Sequence, residues 1–412
     1  MCCQEKGGLE RNLSIYVSNS LEWMIRQETK MNTKKYLSWL LIIVLALAAF
    51  GAVAYAQDEE PEFTEEQIAS SEYLQEILRQ SEEIYDTSEF AKEGPYRIAL
   101  AAQGTSNSWS ALFDAHAFWY AEELGEDVIS ELIYADAMAS ADVQVPQVED
   151  LLAQDPDALI LVPMGEAALS APVERAMAQG VPVILCASRV ETDNFVTEVA
   201  TNLYATGSNL AQWLVDELGG SGNVVMMTGI PGVTTAEVMA QGANAVWEAN
   251  PDINVLATQP GNWSTADAKQ LMEQWIAQFG EDIDGVWSGG AQMSQGIISA
   301  FQDAGLEVPP IAGGEDQAGF LRQAKEIGLE FAAWQYPNAM VTLCIDAAID
   351  ILQGEPVPRF IDFRDHIPNT DNFTNEQIDD FFNPNYSDDV HGPILMPEEK
   401  LAELGFLIES DE

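Results

Sequence analysis

From residue 97 onward, short apolar runs alternate with longer stretches in which apolar positions recur at helical spacing. The runs at 97–102, 128–134, 158–162, 182–185, 195–200, 223–228, 253–259, 285–288, 310–313 and 330–335 predict strands. Between them, the segments 109–124, 145–153, 167–179, 205–218, 235–249, 266–279, 293–304 and 317–326 predict helices. Alternation of this kind implies parallel sheets covered by helices on both faces, the doubly wound α/β class. So many units overfill one open sheet, so the expectation is a pair of lobes. Upstream, residues 57–94 are acidic and polar, with Ile68, Leu74, Ile77, Leu78 and Ile84 at helical spacing. That pattern predicts a solvated amphipathic helix, a spacer or packing arm. Beyond residue 361 the chain turns polar, acidic and aromatic, and reads as a tail packing on the lobes, with one short helix at 376–382.

The amino-terminal region has a different pattern. Beginning at Met31, MNTKKYLSW is a short basic leader, LLIIVLALAAFGAV an apolar core too short to span a bilayer, and Ala54-Tyr55-Ala56 a small-x-small cleavage pattern. Residues 31–56 therefore read as a secretory signal peptide, and residues 1–30 as an upstream extension placed there by start-codon assignment. The mature chain is then expected to be secreted across the cytoplasmic membrane, periplasmic or otherwise extracytoplasmic, not membrane-spanning, and monomeric.

Composition narrows the function. The 67 acidic residues against 17 basic ones give a net charge of -50, which excludes nucleic acid and other polyanions as partners. Residues 57–412 alone hold 63 acidic and 11 basic residues. Such a surface suits high salt, and it also suits any very soluble exported protein. Cys186 and Cys344 sit in no metal-ligand spacing or nucleophile motif. They read as small apolar core residues, with a disulfide between them left open. No GxSxG, HExxH or nucleotide fingerprint is present, and His116, His366 and His391 are scattered. No enzyme, cofactor or metal site is expected. A two-carboxylate carbohydrate enzyme escapes exclusion by motif, because carboxylates are everywhere in this chain.

Open parallel sheets bind ligands beyond the carboxyl ends of their strands. The loops found there carry Gln103, Asn107, Trp109, Ser188, Arg189, Thr201, Trp263, Gly290, Glu315 and Gln335. Amides, hydroxyls and indole rings suit a neutral polyhydroxylated ligand, with directional hydrogen bonds to hydroxyls and ring faces packing on apolar CH faces.

The runs RIALAAQGTSNSW, AQGVPVIL, ATNLYATGSNLAQWL, VVMMTGIPGVTTAEVMAQG, VLATQPGNWSTADAKQLMEQWI and FAAWQYPNAM resemble the ribose/galactose type of periplasmic sugar-binding protein, the substrate-capturing subunit of ABC importers. The likeness runs in order from about Tyr96 to Phe360. It implies a type I periplasmic binding fold: lobe 1 from 95–201 and 337–360, lobe 2 from 202–336, and three chain crossings between them. It also implies a sugar or polyol between the lobes and an ABC permease as partner; a sensory receptor for a membrane chemoreceptor or kinase would share the same site. Position by position, Gln103, Asn107 and Trp109 match the first-strand loop, Thr201 the first crossing, Trp263 the second-lobe aromatic, and Gln335 the later crossing. An Asp-Arg pair is matched by Ser188-Arg189 or, shifted by one, by Ala187-Ser188. Met239 stands for an expected Arg, Gly290 for an Asn, and Gly314-Glu315 for an aromatic-Asp pair. With those donors missing, ribose and galactose are not carried over as ligands.

Overall fold

Ala158–Leu161, Val183–Cys186, Gly285–Ser288 and Ile311–Gly314 are buried at every residue, as strands covered on both faces must be. A computed structural model describes residues 71–105, 107–368, 370 and 372–408, all within one compact unit, Ile68–Glu412. Its strands are β1 (Ile84–Tyr85), β2 (Tyr96–Ala102), β3 (Ile129–Asp136), β4 (Ala158–Leu161), β5 (Val183–Cys186), β6 (Thr197–Ala200), β7 (Gly222–Thr228), β8 (Ile253–Pro260), β9 (Gly285–Ser288), β10 (Ile311–Gly314), β11 (Phe331–Ala333), β12 (Val357–Pro358), β13 (Phe360–Asp362) and β14 (Phe373–Thr374). The expected signal peptide and upstream extension lie outside the described residues.

Two six-stranded sheets result. Lobe 1 orders its strands β13-β6-β5-β4-β2-β3, all parallel. Lobe 2 orders them β14-β11-β10-β9-β7-β8, parallel except for β14, which pairs antiparallel with β11. Each sheet has its own apolar core: Leu159, Leu161, Val183 and Leu185 with Val148 and Val173 in lobe 1, and Val225, Val286 and Ile311 with Met272, Ile297 and Phe320 in lobe 2. The chain passes between lobes after β6, after β11 and after β13.

The ten strands and eight helices read from periodicity are all present, within a few residues at their ends. Helix Met340–Gln353 is an addition. It is buried around most of its circumference, including Met340, Cys344, Ala348 and Ile351, so it lacks the polar face that periodicity detects. It packs on β4, β5 and β6. There Cys344 forms a disulfide with Cys186, with a Cα–Cα distance of 6.3 Å, closing a loop between residues 158 apart in sequence.

Helix Glu72–Glu82 is the packing arm among the alternatives for the acidic upstream stretch. Tyr73, Leu74, Ile77 and Gln80 form its buried stripe, whereas Leu78 and Ile84 of the expected stripe are exposed. The tail does more than wrap one lobe. It supplies β14 to the lobe 2 sheet, and Val390, Met396 and Leu401 join Leu112 of lobe 1 and Ala318 of lobe 2 in one buried cluster. No helix among the described residues is long and apolar enough to cross a membrane.

Candidate functional site

The carboxyl ends of both sheets face a common crevice of about 520 Å³ of atom-free space, its mouth included. Lobe 1 contributes Gln103 and Asn107 after β2, Trp109 from the first turn of helix Ser108–Leu124, Val162 and Pro163 after β4, and Ala187 and Ser188 after β5. Lobe 2 contributes Val233 and Thr235 after β7, Trp263 after β8, Gln292 after β9 and Glu315 after β10. Trp334 and Tyr336 line it from the crossing after β11.

The lobes are apposed. Ser108 Oγ of lobe 1 accepts from Gln292 Nε2 at 3.3 Å and from Gln317 Nε2 at 3.2 Å, both in lobe 2. Arg189 N donates to Thr234 Oγ1 at 3.2 Å across the same seam. These bonds define a closed form.

Three groups of residues shape the walls. Trp109 is buried: its Nε1 donates to the Tyr336 carbonyl at 2.6 Å, and its ring lies 5.8 Å from that of Tyr336. The lobe 1 aromatic is thereby pinned to the crossing. Asn107 caps the same helix, its Oδ1 accepting from Ser110 N at 3.0 Å. Trp263 is held differently. Its Nε1 donates to the Gly289 carbonyl at 2.9 Å, and its ring lies so close to Gly229 that a Cβ there would come within 2.3 Å of Cε2. A Cβ on Gly290 would sit 3.0 Å from Trp263 Cδ1. An Asn at 290 would crowd the indole, so Gly290 serves the site as Trp263's backing and not as part of the lining. Trp263 and Ala187 have φ of 51° and 65°, left-handed conformations that are rare for side chains of any size and that concentrate at ligand sites.

Charge in the crevice is one-sided. Among the described residues, Glu315 is the only acidic or basic one of the lining. Burial pushes its carboxyl up to about 7, although the Ala291 N–H at the start of a helix donates to Oε2 at 3.0 Å and opposes the rise. Beside it in sequence, Asp316 is pushed up to about 8 by burial and by the nearby Glu315 charge. Gln335 faces that carboxyl, and with its amide turned so that the nitrogen points at Asp316 it donates to the two oxygens at 3.1 and 2.9 Å.

Six of the ten sequence-derived candidates meet in the crevice: Gln103, Asn107, Trp109, Ser188, Trp263 and Glu315. Four do not line it. Arg189 turns away into a buried ion pair with Glu198, donates to Gln80 Oε1 at 3.0 Å and lies 5.0 Å from the Tyr73 ring centroid. The Ser188-Arg189 motif therefore presents its Ser and the preceding Ala187 to the crevice, the register shifted by one. Thr201 is spent on the crossing, with Oγ1 donating to Asp362 Oδ2 at 3.3 Å and its carbonyl accepting from the Tyr73 hydroxyl at 2.9 Å. Gly290 and Gln335 act through Trp263 and Asp316. Sequence reasoning passed over Gln292, Thr235, Trp334 and Tyr336, although the strand-end rule points at each of their loops. Among the described residues no group of three or more His, Cys, Asp or Glu is placed to hold a metal ion.

A ligand crevice between two doubly wound lobes, at the carboxyl ends of both sheets, is the architecture of a two-lobed solute-binding protein. Residues 98–356 match the periplasmic binding protein domain family, and the chain belongs to that family. It is 31% identical over 229 residues to the xylitol-binding protein of Mycolicibacterium smegmatis, covering 55% of this chain and 65% of that one, just under two thirds of its length. It is 29% identical over 231 residues to the ribose import binding protein of Bacillus subtilis, covering 56% and 74%. In fold it is similar to the periplasmic binding component of the arabinose ABC transporter from Shewanella sp. ANA-3, with a TM-score of 0.63 and 23% identity over 69% of this chain and 93% of that one. These relatives are binding proteins by name, in line with the expectation that the chain is not an enzyme.

Proposed function

We propose that the chain is an extracytoplasmic receptor that captures a neutral sugar or polyol between its lobes and delivers it to an ABC permease. The observation that carries this reading is the interlobe crevice, with indole rings from both lobes and amides and hydroxyls between them. Ser188 Oγ and Trp334 Nε1, on two residues of the lining, are buried without a protein partner. Ligand that bridges Gln103 and Ser188 of one lobe to Gln292 and Glu315 of the other binds the closed form better than the open one, and so favours closure by that difference in affinity. Closure, with no bond made or broken in the sugar, is then the state a permease reads. Export by the 31–56 signal and a monomeric state complete the proposal.

Titration calorimetry against aldoses, ketoses, polyols and short oligosaccharides tests it. Saturable binding of at least one is expected. Silence across the whole panel, with an amino acid or an anion binding instead, would overturn it.

A further inference from the structure

The tail reaches both lobes at once. On lobe 2 its attachment is largely backbone to backbone: Ala318 N donates to the Val390 carbonyl at 2.8 Å, Gly319 N to the Asp388 carbonyl at 3.1 Å, and Gly392 N to the Asp316 carbonyl at 3.4 Å. Arg322 adds a bond to the Tyr386 carbonyl at 2.7 Å and an ion pair with Asp388 at 2.9 Å. On lobe 1 the attachment is to helix Ser108–Leu124 and, beside the crossing, to Asn338, and it runs through that lobe's side chains. Leu395 N donates to His116 Nε2 at 3.3 Å, Lys400 pairs with Glu122 at 3.2 Å, and Met396 and Leu401 pack with Leu112. Between the two sets sits His391, 1% exposed. Its Nε2 is 2.8 Å from Ser108 Oγ and 3.2 Å from Gln292 Nε2, and its carbonyl accepts from Asn338 Nδ2 at 3.1 Å.

We propose that residues 383–408 form a clasp, carried by lobe 2, that engages helix Ser108–Leu124 of lobe 1 only when the cleft is shut, and so sets how tightly and how long ligand is held. Burial at this contact differs between the closed and open forms. Leu112, Met396 and Leu401 are 0%, 4% and 1% exposed in the closed form. Rotating lobe 1 away from lobe 2 leaves the backbone bonds to lobe 2 intact and separates Leu112 from Met396 and Leu401. Apolar surface is then returned to water in the open form alone, which tilts the equilibrium toward closure. His391 is a positioning residue in the same device. It touches Gln292 of the lobe that carries the clasp and Ser108 of the other lobe, and the bonds that Ser108 makes to His391 and to Gln292 form only when the cleft is shut.

The effect of the clasp on release rests on the capture reading above, whereas its effect on the unliganded protein does not. The test therefore has two arms on the exported chain. In the first, X-ray scattering without ligand compares the parent with Leu401→Asp, His391→Ala and Lys400→Glu. The last variant changes a half-buried side chain outside the apolar cluster and sets like charges against Glu122, so it keeps the test open should Leu401→Asp fail to fold. Each variant should have a larger radius of gyration than the parent. In the second arm, stopped-flow release of the best-binding panel carbohydrate should be about tenfold faster in Leu401→Asp and several-fold faster in the other two, with association rates nearly unchanged. Parent-like dimensions and release rates in His391→Ala and Lys400→Glu would overturn the clasp. A silent carbohydrate panel with enlarged unliganded variants would sink the capture reading and leave the clasp standing.

Discussion

Gly229→Ala offers a sharp test of how the crevice is built, because it adds one methyl group outside the ligand's own contacts. The new Cβ would lie 2.3 Å from Trp263 Cε2 and 2.4 Å from Cζ2. Carbon atoms rest at about 3.5 Å, so the ring must retreat by roughly 1.2 Å. The same Cβ would lie 2.7 Å from Nε1, so the retreat also strains the 2.9 Å bond to the Gly289 carbonyl that seats the ring. Gly229 is outside the left-handed backbone region, so alanine itself is tolerated there and the fold should survive. A ring moved by that distance no longer stacks squarely on a sugar, a loss on the order of 1 kcal/mol, or about five- to tenfold in affinity. Calorimetry on Gly229→Ala, Trp263→Ala and the double variant reads this out. Because both changes remove the same contact, the double variant should be little worse than Trp263→Ala alone. Fully additive losses, or an unchanged Kd in Gly229→Ala, would show that Trp263 does not serve the ligand from this position.

Arg189→Met should lower thermal stability by about 3–5 kcal/mol, since it leaves Glu198 buried without its partner, while Kd stays within about twofold of the parent. A large loss of affinity with unchanged melting would return Arg189 to the ligand site. Asp316→Asn should change how stability depends on pH. With the folded carboxyl pushed up to about 8, the native protein keeps a proton that the unfolded chain releases near 4, so parent stability falls as pH rises between those values. The variant lacks this contribution, and its advantage in unfolding free energy should widen from pH 5 to pH 8, by up to about 1.4 kcal/mol per pH unit; parallel curves would refute the burial argument.

Much of the fold was legible because buried parallel strands and amphipathic helices leave periodic marks. Helix Met340–Gln353 and strands β12 to β14 left none: the helix is apolar nearly all round, and the strands are two or three residues long and exist only through their partners. The site was legible where chain position alone decides it. Gln103, Ser188, Trp263 and Glu315 each follow a strand end, and that rule needs no knowledge of neighbours. Arg189 escaped because, although its ion-pair partner Glu198 is nine residues away, the pocket that turns it from the crevice is completed by Gln80, 109 residues away, and by the Tyr73 ring. His391 escaped for the same reason, its seat being made by Ser108 and Gln292, 283 and 99 residues distant.

The central claim is that a carbohydrate is held between the lobes by this crevice, and a crystal structure grown with the tightest-binding member of the carbohydrate panel tests it most directly. The account predicts density for the sugar bounded by Trp109 and Ser188 on one side and by Trp263, Gln292 and Glu315 on the other, with the lobes closed as described. Sugar bound to one lobe alone, or at any other surface while the crevice holds only water, would contradict it.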